Sequence, residues 1–326
     1  MICHARSIVR WRAVEKKIIA VVGATGSQGG GLARAALADQ SGEFGIRALT
    51  RDVTSARAQE LAALGAELVE VDIRDEAALT KALDGAHGAF LMTNFWEHQS
   101  PEQEKQDAAT MARAAKAAGV DHAIWSTLED TRDHIPLDDD RMPTLMGTYK
   151  VPHFDAKAEA DQVFVDAGVP TTFLRTTFYW ENLLSLLAPQ RGEDGKLVLA
   201  MAMADSKLAG VASEDIGKTA YGIFKRGGEL IGQTVSLAGE HLTGAEMAAT
   251  LSDALGEDVV YVAVPFDTLR AQPFPAAVEF GNMFQYYAEV PEFNAARDVD
   301  FARGLNPELQ TFQQWLENNK GALTGA

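Results

Sequence analysis

A glycine-rich turn between an apolar strand pattern and an alanine-rich helix pattern limits what this chain can fold into. It begins with Ile-Ile-Ala-Val-Val at Ile18 and continues as Gly-Ala-Thr-Gly-Ser-Gln-Gly. Glycines let the backbone turn sharply and approach a ligand closely, and the N–H groups that open the next helix favour an anion. The spacing Gly-x-x-Gly-x-x-Gly favours a nucleotide phosphate site over a plain tight turn. The residues of this site are Gly23, Ala24, Thr25, Gly26, Ser27, Gln28 and Gly29.

The end of the second strand pattern indicates which nucleotide is bound. This pattern covers residues 45–51 and ends at Thr50-Arg51, where an NAD-selective site usually carries Asp or Glu for the ribose hydroxyls. The guanidinium of Arg51 matches a 2′-phosphate instead, so the sequence predicts NADP(H) rather than NAD(H). A surface ion pair between Arg51 and Asp52 is the alternative, and Arg57 is a weaker candidate for a second phosphate contact.

Strand and helix patterns alternate along the first half of the chain, which is typical of a parallel sheet covered on both faces. Helices are predicted over 55–64, 76–83 and 101–118, and strands over 67–71, 88–93 and 122–127. This alternation predicts an α/β fold with a doubly wound sheet, whose binding crevice lies at the carboxyl ends of the strands. Polar residues stand at these ends, as ligand contacts or as plain strand termini: Asp72, Thr93, Asn94 and Ser126.

The predicted elements become shorter after residue 175. Helices over 182–187, 215–224, 244–255 and 307–318 and strands over 196–201, 234–238 and 259–264 are predicted here. We expect a Rossmann domain over residues 16–180, completed by return elements from the C-terminal half, and a smaller α/β lobe over residues 181–326 that closes over the crevice. The last helix should dock through a face that carries Leu309, Phe312 and Trp315.

Charge and composition argue against several classes of partner. A formal charge of −17 over 326 residues repels phosphate backbones, so general nucleic-acid binding is not expected. No apolar run approaches the roughly 20 residues of a membrane-spanning helix, and the one cysteine, Cys3, fits a reducing, cytoplasmic compartment. The spacing of His87, His98, His122 and His134 matches no metal-binding motif, so no metal is predicted.

Residues 1–15 differ in composition from the rest of the chain. Three arginines and one histidine precede the first acid, Glu15, whereas the ordered pattern starts only at Lys16. An organellar presequence is one interpretation, but the stretch is short and holds a single serine. We expect a non-structural extension, or a true start at Val14.

Several separate segments together resemble the NmrA-like family. Besides the glycine turn and Thr50-Arg51, they are 90–97 (FLMTNFWE), 153–157 (HFDAK), 178–184 (FYWENLL) and 314–317 (QWLE). The similarity extends over nearly the whole chain and is greatest to the vertebrate NADPH-sensing members of the family. The family belongs to the atypical short-chain dehydrogenase/reductases, so the resemblance implies NADP(H) in the crevice.

The resemblance also implies roles for individual residues. It places Gly23–Gly29 at the pyrophosphate, Arg51 at the 2′-phosphate, and Asp72 with Ile73 at the adenine edge. Around the nicotinamide half it places Thr93, Asn94, Phe95, Tyr179, Asn182 and, at the ribose, Lys157. The alternatives are a solvated helix position for Lys157 and a core position for Tyr179.

The catalytic pattern of the short-chain reductases is incomplete in this chain. Those enzymes use Tyr-x-x-x-Lys, in which the tyrosine supplies a proton and the lysine orients the ribose. Here the pattern is His153-x-x-x-Lys157. His153 shares a helix face with Lys157 and is a candidate proton donor, with a packing or capping role as the alternative. The catalytic candidates are therefore Lys157, His153 and Ser126, whereas Tyr149 lies before the proline and is poorly placed.

Two functions stay open at this point. The missing tyrosine favours an NADP(H)-binding redox sensor, in which NADPH or NADP⁺ orders loops such as 97–104 or 130–148 and changes the binding of a regulatory protein partner. The alternative is an NADPH-dependent reductase of a quinone, enone, aldehyde or imine, because quinones and enones need little acid assistance. The acidic segment 130–148 is either a lid or a solvated loop.

Overall fold

The computed structural model describes residues 16–323 of the chain. The strands are β1 (Lys17–Val22), β2 (Phe44–Thr50), β3 (Glu67–Glu70), β4 (Gly88–Leu91), β5 (His122–Thr127), β6 (Thr171–Arg175), β7 (Phe178–Tyr179), β8 (Gln190–Arg191), β9 (Leu197–Met201), β10 (Lys207–Val211), β11 (Thr234–Ser236), β12 (Glu240–Thr243) and β13 (Val259–Ala263). The α-helices are α1 (Ser27–Ala38), α2 (Ala56–Ala63), α3 (Glu76–Leu83), α4 (Pro101–Ala117), α5 (Pro152–Ala167), α6 (Ser213–Lys225), α7 (Gly244–Leu255), α8 (Phe266–Arg270), α9 (Ala277–Glu289), α10 (Pro291–Ala295), α11 (Val299–Leu305) and α12 (Phe312–Leu323).

A seven-stranded parallel sheet lies at the centre, in the order β11-β6-β5-β4-β1-β2-β3. On one face, α1 and α6 bury apolar side chains such as Leu32 and Ile216. On the other face, α3, α4 and α5 bury side chains such as Met111 and Phe164. Both faces of the sheet are therefore covered, and the predicted doubly wound α/β fold is confirmed.

Local sequence signals explain where several helices begin and end. The hydroxyl of Ser100 caps α4 by accepting the backbone N–H of Gln103, and Pro101 occupies the first turn. In α7 the side chains of Thr243 and Glu246 form a reciprocal capping box. These signals are local, so they operate before any tertiary contact forms.

Two elements of the C-terminal half return to the central sheet. Strand β11 pairs in parallel with β6, and α6 packs along α1. The other late strands form two small sheets, β12-β10-β7 and β13-β9-β8. An aromatic cluster that includes Trp180, Phe284 and Trp315 packs between these sheets and the late helices. The domain boundary at residue 180 stays a prediction.

Helices α1 and α6 approach each other at two glycines. A Cβ atom on Gly31 would lie 2.1 Å from the carbonyl oxygen of Glu214, and one on Gly217 would lie 2.0 Å from that of Gln28. No side chain fits at such distances, so the two backbones touch there. This contact fixes how α6 lies against the glycine turn that precedes α1.

Several predicted boundaries were wrong. The last helix begins at Phe312, not at residue 307, because the backbone N–H of Gln310 donates to Asp215 on α6 (2.9 Å) and keeps this stretch out of the helix. The strand predicted over 88–93 ends at Leu91. The helix predicted over 182–187 is a 3-10 helix at Trp180–Leu184.

Neither of the two predicted loops is a simple mobile connection. In the loop 97–104, residues from Pro101 onward form the first turn of α4. In the segment 130–148, Ile135 and Met142 are fully buried, so its middle is packed against the core. No described helix is both long enough and apolar enough to cross a membrane. The predicted N-terminal extension lies outside the described residues.

Candidate functional site

A long cleft of about 660 Å³ opens at the carboxyl ends of β1 to β4. Most residues predicted to contact the nucleotide line this cleft, namely Gly23, Thr25, Gly26, Ser27, Gln28, Gly29, Arg51, Asp72, Ile73, Asn94 and Tyr179. Ala24 does not line it, because its side chain is buried in the core between the sheet and α1. The residues expected at the pyrophosphate, the 2′-phosphate and the adenine edge are therefore brought together in one place, apart from Ala24.

The glycine turn presents the start of α1 to the cleft. Gly23 has a φ of 67°, a left-handed conformation that favours glycine, and its carbonyl accepts the N–H of Gly26 at 2.9 Å. Gly26 caps α1 without any side-chain hydrogen bond. The first N–H groups of a helix have no intrahelical partner, so those of α1 are available to an anion in the cleft.

Arg51 does not pair with Asp52. Its guanidinium makes two 3.0 Å hydrogen bonds to the carboxylate of Glu97, while Asp52 binds the hydroxyl of Thr54 at 2.6 Å. The Arg51 side chain is 75% exposed, so this pair contributes little to stability and leaves the guanidinium accessible. Arg57 approaches the turn only at the carbonyl of Thr25, at 3.5 Å.

A second cavity of about 380 Å³ adjoins the nucleotide cleft. Several predicted site residues line it: Thr93, Asn94, Phe95, Ser126, His153, Lys157, Tyr179 and Asn182. Its wall is rich in aromatic rings, namely Phe95, Trp96, Phe154, Phe178, Phe280, Phe284 and Tyr287. Four residues line both spaces, which are therefore contiguous: Gln28, Met92, Asn94 and Tyr179.

The ammonium group of Lys157 is held where β4 ends. Its Nζ lies 2.6 Å from the hydroxyl oxygen of Thr93 and 2.7 Å from Oε1 of Glu104, which also accepts a hydrogen bond from Thr93. Burial alone would raise the pKa of Glu104, but the charge of Lys157 and hydrogen bonds from Lys157 and Thr93 outweigh it and lower that pKa. Lys157 is only 12% exposed, so it is not a solvated helix residue.

A chain of hydrogen bonds crosses the boundary between the two spaces. The hydroxyl of Ser126 donates to Oε1 of Gln28 (2.9 Å), and Nε2 of Gln28 donates to the hydroxyl of Tyr179 (2.8 Å). Burial raises the pKa of Tyr179 to about 12, so the phenol stays neutral near pH 7. Ser126 and Tyr179 therefore hold Gln28 in a fixed orientation between the cleft and the cavity.

Helix α9 contributes residues that the sequence patterns did not reveal. Phe280, Met283 and Tyr287 close the far side of the cavity. The ring of Phe280 stacks on Trp96, with centroids 5.1 Å apart and planes 3° from parallel. The signal that could have found Phe280 is weak, because an isolated aromatic residue does not indicate which element it faces.

The histidines within residues 16–323 do not converge on one site. His87 pairs with Asp121, His98 lies 3.3 Å from Glu104, and His122 contacts Thr172. Within residues 16–323 no three His, Cys, Asp or Glu side chains are grouped so that they could hold a metal ion.

Comparison with known proteins connects this geometry to one family. Residues 15–316 match the NmrA-like family. The chain belongs to it. The sequence resemblance predicted this α/β fold, with a glycine turn before α1. It also predicted a cleft at the carboxyl ends of the strands, where the structure has one.

Solved and curated relatives of this NmrA-like chain include both regulators and reductases. The crystal structure of NmrA, a negative transcriptional regulator, in complex with NADP is 25% identical, with a TM-score of 0.75, and the match covers 93% of this chain and 94% of that one. The NADPH-dependent quinone oxidoreductase QOR2 from Escherichia coli, crystallised with NADPH, is 25% identical, with a TM-score of 0.71 and coverage of 92% and 99%. The NAD(P)H azoreductase of Xenophilus azovorans is 30% identical over 254 residues, which are 78% of this chain and 79% of the relative.

The cleft of this NmrA-like protein fits a phosphorylated dinucleotide. The glycine turn leaves the helix N–H groups open, and Arg51 stands at the end of β2 with its guanidinium exposed. The cofactor predicted from the sequence agrees with both neighbouring structures, which were crystallised with NADP or NADPH.

Proposed function

We propose that this chain binds NADP(H) and is a reductase that transfers hydride to a flat, apolar acceptor. The aromatic cavity carries this proposal, because it adjoins the nucleotide cleft and is large enough for a small ring compound. A nucleotide sensor needs the cleft and the part of the cavity that takes the nicotinamide, but it has no evident need for the aromatic far wall formed by Phe280, Phe284 and Tyr287. The sequence alone favoured a sensor, and the cavity reverses that preference.

The names of several relatives support the same choice. Two of them are named as an azoreductase and a quinone oxidoreductase, and their acceptors contain planar unsaturated groups. The aromatic rings that line the cavity suit such groups, since stacked and edge-to-face contacts favour planar partners. Quinones and azo compounds accept hydride readily, so the absence of the usual tyrosine is no obstacle.

Removal of the Lys157 ammonium group should abolish most turnover. We expect Lys157→Ala to lower kcat/KM by roughly 100-fold, because a fixed positive charge next to the nicotinamide half is lost. The measurement is loss of the reduced-nicotinamide absorbance with a panel of quinones, azo compounds, enones, aldehydes and imines. Lys81→Ala, which changes an exposed lysine on α3, is the matched control.

The rates of wild-type protein and of Lys157→Ala can be compared only if both proteins are folded and bind NADPH. Lys157→Ala leaves Glu104 buried without its cation, so thermal unfolding and NADPH titration must accompany the rates. If wild-type protein saturated with NADPH reduces no acceptor, the reductase proposal is wrong.

Arg51 should determine the preference for the phosphorylated nucleotide. We expect Arg51→Ala to raise the Kd for NADPH by about 10- to 100-fold and to change the Kd for NADH little, because charge-assisted hydrogen bonds to the 2′-phosphate are lost. Fluorescence titration with both nucleotides measures this. Arg113→Ala, which removes an exposed guanidinium that pairs with Glu76 on α3 outside the cleft, is the control. Equal losses for NADPH and NADH in Arg51→Ala would show that Arg51 does not bind the phosphate.

The second candidate is a redox sensor like the vertebrate NADPH-sensing proteins, and one contact favours it. Glu97, which holds Arg51, is next to Trp96, which stacks on Phe280 of α9. A 2′-phosphate on Arg51 would compete with Glu97 and so alter the contacts of this segment with the late helices. NADPH and NADP⁺ both carry this phosphate, so the contact predicts altered protease sensitivity with either form relative to NADH. A redox sensor predicts in addition a difference between NADPH and NADP⁺, and no turnover of any acceptor.

A further inference from the structure

Glu279 on α9 binds His153 through two hydrogen bonds to the same oxygen. Oε1 of Glu279 accepts the backbone N–H of His153 at 2.9 Å and lies 2.6 Å from the ring nitrogen Nδ1. Both residues are buried, at 7% and 6% exposure. The two bonds fix the ring of His153 and join the first turn of α5 to α9, although Glu279 lies 126 residues after His153 in the sequence.

This contact determines which ring nitrogen is available. A carboxylate accepts hydrogen bonds, so Nδ1 of His153 carries a proton and donates it to Glu279. Nε2 makes no hydrogen bond to any residue in 16–323, and His153 lines the aromatic cavity. Nε2 is therefore the nitrogen that an occupant of the cavity can reach.

We propose that His153, held in place by Glu279, donates the proton that completes the reduction of an acceptor in the aromatic cavity. This rests on the proposed reductase function. His153 is then the catalytic acid, and Glu279 is a positioning residue that also stabilises the charged ring, as a carboxylate does behind other catalytic histidines.

A hydride leaves C4 of NADPH with both electrons of its C–H bond and bonds to the acceptor, so NADPH is oxidised and the acceptor is reduced. Negative charge develops on an acceptor oxygen or nitrogen. The proton on Nε2 of the His153 imidazolium moves to that atom, and the neutral ring regains a proton from water before the next turnover.

Three other polar groups on the cavity wall are poorer proton donors than His153. The ammonium group of Lys157 is bound to Glu104 and Thr93. The hydroxyl of Ser126 donates to Gln28. Burial raises the pKa of Tyr287 above its ordinary value, which makes that phenol a weaker acid than an imidazolium.

The charged groups near His153 lie on α9 and on α5. On α9 the contacting group is Glu279, and on α5 the neighbours are Asp155, which accepts from the backbone and hydroxyl of Thr131, and Lys157. Aromatic rings cover the ring of His153 on other sides, with the Trp96 centroid at 4.8 Å. Further along α5, burial raises the pKa of Asp161 to about 7, but Asp161 binds Thr127 and does not line the cavity.

His153→Asn is the decisive variant. The asparagine amide can still donate to Glu279, but it has no group in place of Nε2. With the acceptor that wild-type protein reduces fastest, we expect kcat/KM to fall about 100-fold at neutral pH. The loss should appear in kcat, with the KM for the acceptor nearly unchanged, because the missing group acts on proton transfer and not on binding.

Glu279→Gln tests the positioning residue. The neutral amide keeps an oxygen that can accept from His153 but removes the negative charge behind the ring, so kcat should fall by a smaller factor than in His153→Asn while the KM for the acceptor stays the same. His87→Asn, the same substitution at a histidine that lines neither space and pairs with Asp121, is the control and should change kcat/KM less than about 3-fold. NADPH affinity, measured by fluorescence titration, should be the same in all three variants and wild type.

Each result decides the question. A decrease of less than about 10-fold in His153→Asn, or one that appears only in KM, would overturn the role of His153 and leave the reductase function intact. If the wild type binds NADPH but reduces nothing, the reductase function fails and this role with it. Weakened NADPH binding in His153→Asn would show that the histidine is structural.

Discussion

Gly217→Val is expected to lower the free energy of unfolding by at least about 3 kcal/mol. The added side chain would clash with backbone atoms, which cannot move aside as a flexible side chain can. A Cβ on Gly217 would lie 2.0 Å from the carbonyl oxygen of Gln28 and 2.3 Å from the N atom of Leu32. Helices α1 and α6 would have to separate, which would expose their shared apolar face. Urea unfolding followed by circular dichroism measures the loss.

Gly304→Ala provides the matched control for that variant. Gly304 also lies in a helix, α11, but a Cβ there would meet only the flexible end of Arg226, at 3.6 Å. Because alanine is a better helix former than glycine, we expect unchanged or slightly higher stability. An unchanged urea midpoint in Gly217→Val would mean that the α1–α6 contact is less tight than described.

Gly26→Val should abolish binding of both NADPH and NADH, with each Kd raised by at least about 100-fold, since a branched side chain would stand in front of the helix N–H groups. The backbone of Gly26 has φ −86° and ψ −179°, which valine adopts readily, and a Cβ would meet only the carbonyl of Gly23 at 3.2 Å. The fold should therefore survive, unlike that of Gly217→Val.

The comparison of both nucleotides separates this effect from that of Arg51. Gly26→Val should weaken NADPH and NADH alike, whereas Arg51→Ala should weaken NADPH selectively. Gly228→Val is the control, because a Cβ there meets only a side-chain methyl of Ile231 at 3.6 Å. Unchanged affinity for either nucleotide in Gly26→Val would contradict the placement of the pyrophosphate at this turn.

The central sheet could be predicted because its signals are local. Helix α3 and strand β5 agree with the predicted ranges to the residue, since apolar strands and capped helices alternate there. Helix α9 gave no such signal. Most of its residues are buried, including Glu279, Asn282 and Gln285, so it lacks a polar face, and Ala276 before it provides no side-chain cap.

The nucleotide cleft could be predicted for the same reason, whereas the cavity could not. Arg51 follows β2 directly and Asp72 lies two residues past the end of β3, and parallel strands bring their carboxyl ends to one edge. From the sequence, Glu104 is an ordinary acidic residue in the first turn of α4. Its contact with Lys157 joins two residues that are 53 positions apart in the sequence. Glu279 lies still further from His153. Such pairs depend on the packed tertiary structure.

The return of β11 to the edge of the central sheet has a consequence during synthesis. Strand β6 is complete in the nascent chain well before β11, and α1 is complete well before α6 covers it. Until the ribosome has released the intervening segment, β6 has an unpaired edge and α1 an uncovered glycine face. Slow translation of that segment would therefore lengthen the time in which the edge of β6 and the uncovered face of α1 can bind chaperones or pair with another chain. The glycine turn itself has already been synthesised by then.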